Sequence, residues 1–177
     1  YFAQDGGAVF RGELAPFGRC IEILEALVVF LVVRGRDLVK RSAQRIGRAV
    51  RMVNASEGKA LESEDINFEV SFLFGGQIAG ESMRLFRIYA EGNFIEAGTD
   101  TCFLQTGEAK YGKPILDLAV TSSATLEDAT KCVLVSYDST MLSNLSVGMP
   151  IDLLCYARDS LQVTMKRRFD EGDVYFD

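Results

Sequence analysis

No histidine occurs among the 177 residues. Its absence removes every Ser-His-acid and Cys-His hydrolase, and with them the side chain that most often serves as a general base near neutral pH. Catalysis in such a chain would need a hydroxyl nucleophile served by a lysine or by the chain's own N-terminal amine, or else a pair of carboxylates. The four cysteines, Cys20, Cys102, Cys132 and Cys155, have no paired spacing and stand among apolar neighbours. They read as reduced core residues. Zinc asks for closely spaced ligands, and this chain offers only thiolates and carboxylates, so neither a metal nor another cofactor is expected.

Long apolar runs are missing too. The longest, 26–33, follows Glu22 and Glu25 and falls far short of the roughly 20 residues that cross a bilayer. No basic stretch precedes an apolar core near the start, so the expectation is a cytoplasmic protein with no membrane segment. With 48% hydrophobic residues, the length suits one globular domain over 1–177 around one core. A formal net charge of -6 argues against binding of the whole surface to nucleic acid or anionic lipid.

The order of elements is legible from periodicity. A short strand is expected around Ala8, Val9 and Phe10, ending before a turn at Gly12. Ile21, Leu24, Leu27, Val28 and Leu31 recur at helical spacing after Pro16, with strand as the alternative for the β-branched stretch 28–33. Val39, Ala43, Ile46, Val50 and Val53 predict an amphipathic helix over 38–54. Its other face carries Lys40, Arg41, Arg45, Arg48 and Arg51, so that 34–51 holds a net +6 and the remainder of the chain -12. A polar connection is expected over 57–65.

Phe68, Val70, Phe72 and Phe74 alternate as a strand with one buried face, which Gly75 and Gly76 would end or bulge. The segments 83–89 and 93–97 flank a tight turn and read as a hairpin, giving three successive antiparallel strands. Pro114 opens a short helix to Val120. Thr125 caps a longer one, with Asp128 placed to return the interaction. That helix has an inner stripe of Ala129, Cys132, Val133, Ser136 and Thr140, small enough to lie close on a neighbour. A last hairpin pairs 151–157 with 161–168, ahead of an exposed acidic tail over 169–177. Helix pairs between groups of antiparallel strands suggest two stacked sheets with helices outside.

Four stretches carry a family resemblance: NFEVSFLFGGQIAGE (67–81), RLFRIYAEGNFIEA (84–97), GEAKYGKPILD (107–117) and STMLSNLSVGMPIDLL (139–154). From about 67 to 173 the chain resembles the Anbu proteins, bacterial relatives of the proteasome beta subunit also described as predicted proteasome-type proteases. The resemblance implies the N-terminal nucleophile hydrolase fold, an αββα four-layer sandwich. In that fold the first residue of the mature chain attacks a carbonyl with its own amine as base, and a backbone N–H steadies the oxyanion. Such catalysis needs no histidine. The resemblance also implies a large homo-oligomer, and a peptide or small amide as substrate.

The segment 1–35 departs from the family, which carries Thr or Ser at the head of a first strand. Tyr1 is no such nucleophile. The first strands are therefore expected to be missing and the chain inactive as a peptidase. The resemblance places a supporting shell at Gly12, beside the oxyanion amide, at Gly107, where proteasome subunits carry a Ser, and at Ser143 or Asn144 together with Ser146. Ser and Asn between a helix end and Pro150 are as readily capping and turn residues. Gly75, Gly76 and Gly80 as cleft lining, and Lys110 and Lys113 as ligand contacts, are the sharper readings of residues that usually serve turns and solvation. Two alternatives remain: a non-catalytic self-assembling scaffold, and a nucleic-acid binder using the basic helix 38–54. No aromatic interleaves those charges, which favours docking on an acidic neighbour subunit instead.

Overall fold

The computed structural model describes residues 2–3, 6–12, 29–32, 38–63 and 70–176, the first three of these segments as strands. Strands β1 (Phe2–Ala3), β2 (Gly6–Gly12) and β3 (Val29–Val32) precede the long helix α1 (Leu38–Ser63). There follow β4 (Phe72–Gln77), β5 (Arg84–Ile88), β6 (Phe94–Glu96) and β7 (Phe103–Leu104), then helices α2 (Lys113–Ala119) and α3 (Leu126–Ser143), and last β8 (Ile151–Ala157) and β9 (Val163–Phe169). Three sheets form among the described residues. One has four strands in the order β3-β4-β5-β6, one has three in the order β2-β8-β9, and β1 pairs with β7 in the third.

Strand parity distributes the core. In β4 and β5, Phe74, Phe86 and Ile88 face one way and join Val39, Ala43 and Ile78 in a cluster beneath α1. Leu73 and Leu85 face the other way and meet Met83, Ala97, Leu104 and Tyr156, the last contributed by β8. On the far side of β8, Ile151, Leu153 and Cys155 pack with Leu116, Val120, Val133 and Leu134 of the α2–α3 side. Alternation of side chains across a strand thus sets α1 against one face of the four-stranded sheet and α2 with α3 against one face of the three-stranded one.

Several elements differ from the sequence reading, each for a local reason. Three sheets stand in place of two, and β3 pairs with β4 in parallel, with α1 as the crossover between them. The strand alternative holds at 29–32, while the remainder of the helical reading before 29, and Cys20 with it, lies outside the described residues. Helix α1 runs nine residues past 54. Ala55, Glu57, Lys59, Ala60, Leu61 and Glu62 are good helix formers, so propensity continues a helix that apolar spacing no longer marks. Val53, predicted for the inner face, is 44% exposed.

Strand β4 runs through Gly75 and Gly76 instead of stopping there, paired to Phe30 and Leu31 on one edge and to Leu85 and Arg84 on the other. Ladders on both edges hold the glycines extended, and both faces of the strand are buried. The tail is exposed over most of its length, Val174 86% and Tyr175 47%, while Phe169 at its head is 1% exposed and packs edge-on against Phe176. Three expectations stand. The hairpin β5–β6 and the hairpin β8–β9 are antiparallel. Thr125 caps α3 by accepting from the Asp128 N–H, although the Asp128 carboxylate returns to the Thr125 hydroxyl and not to its backbone.

The docking of α1 turns on two glycines. Gly47 lies against the backbone of Gly92, whose φ of +72° makes the tight β5–β6 turn, and the Arg51 guanidinium donates to the Gly92 carbonyl at 2.6 Å. A Cβ on Gly47 would collide with that carbonyl oxygen, which is fixed backbone. A Cβ on Gly58 would meet only the end of the Asn54 side chain, which can turn away. Gly47→Ala is therefore expected to destabilise the fold by about 1–3 kcal/mol despite the better helix propensity of alanine. Gly58→Ala is expected to stabilise it by roughly 0.5–1 kcal/mol. Urea unfolding followed by circular dichroism checks the opposite signs.

Candidate functional site

The loop between β7 and α2 is held by its own polar side chains. Gln105, 7% exposed, donates through Nε2 to the Glu108 carbonyl, and Gly107 turns the chain with φ of +84°. That left-handed conformation is one that glycine adopts at no steric cost. The neighbouring Thr106 hydroxyl pairs with that of Ser71, just ahead of β4. Below the loop, a Cβ on Gly112 would overlap the Ser136 and Thr140 hydroxyls. The entry to α2 therefore rests directly on the small-residue stripe of α3, which is the close approach that Ala129, Ser136 and Thr140 permit.

Packing α2 on α3 brings the Glu108 loop to the C-terminal end of α3. Asn144, the C-cap residue, donates through Nδ2 to Glu108 Oε2 at 2.7 Å. Its Oδ1 accepts from the Ser146 hydroxyl at 2.7 Å and from the Ser146 N–H at 2.9 Å. The other oxygen of Glu108 accepts the Lys110 N–H at 2.6 Å. The Glu108 carboxyl is held below the usual glutamate range, first by that backbone donor, against partial desolvation, and further by the Asn144 amide. An ionised Glu108, an oriented Asn144 and the Ser146 hydroxyl form one hydrogen-bonded chain.

Of the residues singled out in the sequence, the structure gathers Gly107, Asn144 and Ser146. Ser143 ends α3 and is exposed. Gly12 ends β2 opposite Ile151 at the start of β8. Lys113 is bound to Asp117 at 2.6 Å, and Lys110 lies over the Tyr111 ring, 5.3 Å from its centroid. Gly80 makes a surface turn at φ of +81°. The basic helix spends Arg51 on the turn at Gly92 and leaves Lys40, Arg41, Arg45 and Arg48 exposed.

Sequence reasoning missed Glu108 and Gln105. Glu108, on a loop 36 residues earlier, is the carboxylate that Asn144 contacts. Gln105 Oε1 is buried with no hydrogen-bond partner among the described residues. No spacing rule joins 105–108 to 144–146, because the contact depends on how α2 meets α3. Among the described residues no group of three or more candidate ligands is placed to hold a metal ion.

Comparison with known proteins adds to this geometry. The chain is similar to an Anbu mutant from Hyphomicrobium sp. strain MC1, at 52% identity and a TM-score of 0.69 over 77% of this chain and 55% of that one. It is similar to Anbu (ancestral beta-subunit) from Yersinia bercovieri, at 43% identity and a TM-score of 0.70 over 77% and 56%. A third similar structure, the helical assembly of the Anbu complex from Pseudomonas aeruginosa, shows 49% identity and a TM-score of 0.72 over 78% and 57%. The chain thus spans little more than half the length of these proteins. No family model and no curated protein matches it.

The Glu108 tie has a pH signature. A carboxyl whose pKa is lowered on folding stabilises the loop above its unfolded pKa, and the contribution is lost as pH falls through the folded value. A carbon-13 NMR titration is expected to place the Glu108 midpoint below the usual glutamate range. Asn144→Ala should move it upward, and Ser146→Ala, which touches Glu108 only through Asn144, should move it less. An ordinary midpoint in the unmodified protein would contradict the tie.

Proposed function

The chain belongs to the Anbu family of proteasome-related subunits, and on that premise we propose that it is a self-assembling subunit of the N-terminal nucleophile hydrolase type. The observation that carries the proposal is the 49% identity to a protein whose complex forms a helical assembly. The order of the packed clusters supports the αββα four-layer reading: α1, the four-stranded sheet, the three-stranded sheet, then α2 with α3. Its place is the cytoplasm, in keeping with the absence, among the described residues, of a helix long and apolar enough to cross a membrane.

We further propose that these 177 residues by themselves hydrolyse no peptide. Family chemistry asks for a Thr or Ser nucleophile with a lysine close by, whereas Lys113 and Lys131 are held here by Asp117 and Glu127. A form of the protein that carried the nucleophile strand would act on peptides or small amides, with Glu108, Asn144 and Ser146 in the shell around its amine. The non-catalytic self-assembling scaffold is the second reading. Nucleic-acid binding through α1 has less support, since a chain of net charge -6 repels phosphates over most of its surface.

Light scattering after size-exclusion chromatography, with a panel of fluorogenic peptides assayed on the same fractions, tests the proposal. A particle of many subunits without hydrolysis is expected. A strictly monomeric chain would refute self-assembly, and hydrolysis abolished by a threonine-directed inhibitor would refute inactivity.

A further inference from the structure

Of the four arginines on β5 and β9, three meet carboxylates: Arg84 pairs with Glu96, Arg167 with Asp173, and Arg168 with Asp152 and Asp170. Arg87 does not. Its Nε is buried without a hydrogen-bond partner, and its guanidinium makes no ion pair among the described residues. What holds it is the Tyr89 ring, whose centroid lies 4.9 Å from the guanidinium carbon. In a chain with 25 acidic residues, a half-buried arginine without an acid departs from the pattern of its own strand, and a desolvated N–H left unpaired costs stability. Strand pairing shows where it lies. Leu73, Leu85 and Arg87 share the face of β4 and β5 turned away from α1, with Leu73 directly opposite Arg87 on one side and Ile95 of β6 opposite it on the other. Along that face Leu85 is 1% exposed and Ile95 43%, so Arg87 stands at the margin between covered and open sheet. Ser71, two residues ahead of Leu73, pairs through its hydroxyl with Thr106, which belongs to the loop that carries Glu108. The margin therefore adjoins the candidate site.

We propose that Arg87 is an anion subsite beside the candidate site and takes a carboxylate of the substrate, either an acidic side chain of a peptide or its free C-terminus. The two terminal nitrogens of the guanidinium, which are not buried, offer a planar fork that matches the two oxygens of a carboxylate. With Nε shielded from water and the Tyr89 ring against the group, part of its hydration is already gone. A carboxylate thus displaces little water and meets a fork already held in position. The exposed side chain of Ile95 supplies an apolar wall for the stem of an acidic residue. A neutral residue in the same place would leave the guanidinium unpaired, which is how a site of this kind discriminates. This inference rests on the reading of the substrate as a peptide or small amide and narrows it to acidic ones.

Fluorescence anisotropy with three dye-labelled peptides tests the assignment: a blocked alanine peptide with one glutamate, the same peptide with glutamine in its place, and an alanine peptide ending in a free carboxylate. At least one of the two carboxylate peptides should bind the unmodified chain at least tenfold more tightly than the glutamine peptide, and more weakly as salt rises. Which of them does so identifies the source of the carboxylate. Arg87→Gln should abolish the preference, and Arg87→Lys should keep part of it, since lysine retains the charge without the fork. Arg48→Gln, on the exposed face of α1, should leave it unchanged. Circular dichroism checks that each variant keeps its fold, and the peptide comparison on the unmodified chain decides the matter if one does not. Equal binding of all three peptides would overturn the inference while leaving the peptide reading intact, whereas binding of none would overturn both. A preference kept in Arg87→Gln and lost in Arg48→Gln would overturn it by placing the site on α1. Inorganic phosphate that displaces the carboxylate peptide at equal concentration would overturn the assignment to a carboxylate.

Discussion

One buried amide ties the two larger sheets together. Gln77, at the end of β4 and 1% exposed, spends most of its side-chain bonds across the gap. Its Oε1 accepts the Tyr156 hydroxyl at 3.1 Å and the Asp159 N–H at 3.0 Å, and its Nε2 donates to the Asp159 carboxylate and to the Glu81 carbonyl. A buried amide this fully partnered is worth far more than its net hydrogen-bond energy suggests, since any slip between the sheets would leave several desolvated groups unpaired. Burial of Tyr156 pushes its phenol up, so it stays a neutral donor. Asp159 and Leu161 in the β8–β9 turn hold positive φ of 60° and 51°, and Gln77 grips the first of them.

From that tie the remaining arrangement follows. Fixing β4 against β8 sets which faces of the two sheets meet over Leu73, Leu85 and Tyr156. It thereby fixes which faces are left for helices. Helix α1 packs over Phe74 and Phe86 and the pair α2–α3 over Ile151 and Leu153, and the close seat of Gly112 on Ser136 and Thr140 determines where the Glu108 loop arrives. The Glu108–Asn144–Ser146 chain is thus a consequence of layer packing, with no single segment able to build it.

Much of this was legible in the residues. Apolar spacing located α1 and α3, turn-forming residues located both hairpins, and the Thr125 cap stood in plain view, because each of these signals is local. Gly75 and Gly76 misled because a glycine pair usually breaks a strand, and only pairing on both edges, a property of the sheet, overrides that. The far end of α1 misled because polarity hides a helix that rests on propensity. Gly107, Asn144 and Ser146 were reached through likeness to a family. Glu108 was not, since its role depends on a partner 36 residues away.

The face-to-face tie is open to one direct measurement, a double-mutant cycle on Tyr156→Phe and Gln77→Met read by urea unfolding. If the two sheets are locked through this pair, the combined change costs less than the sum of the single ones, with a coupling of about 1 kcal/mol or more. Single effects that add to within about 0.3–0.5 kcal/mol would contradict it.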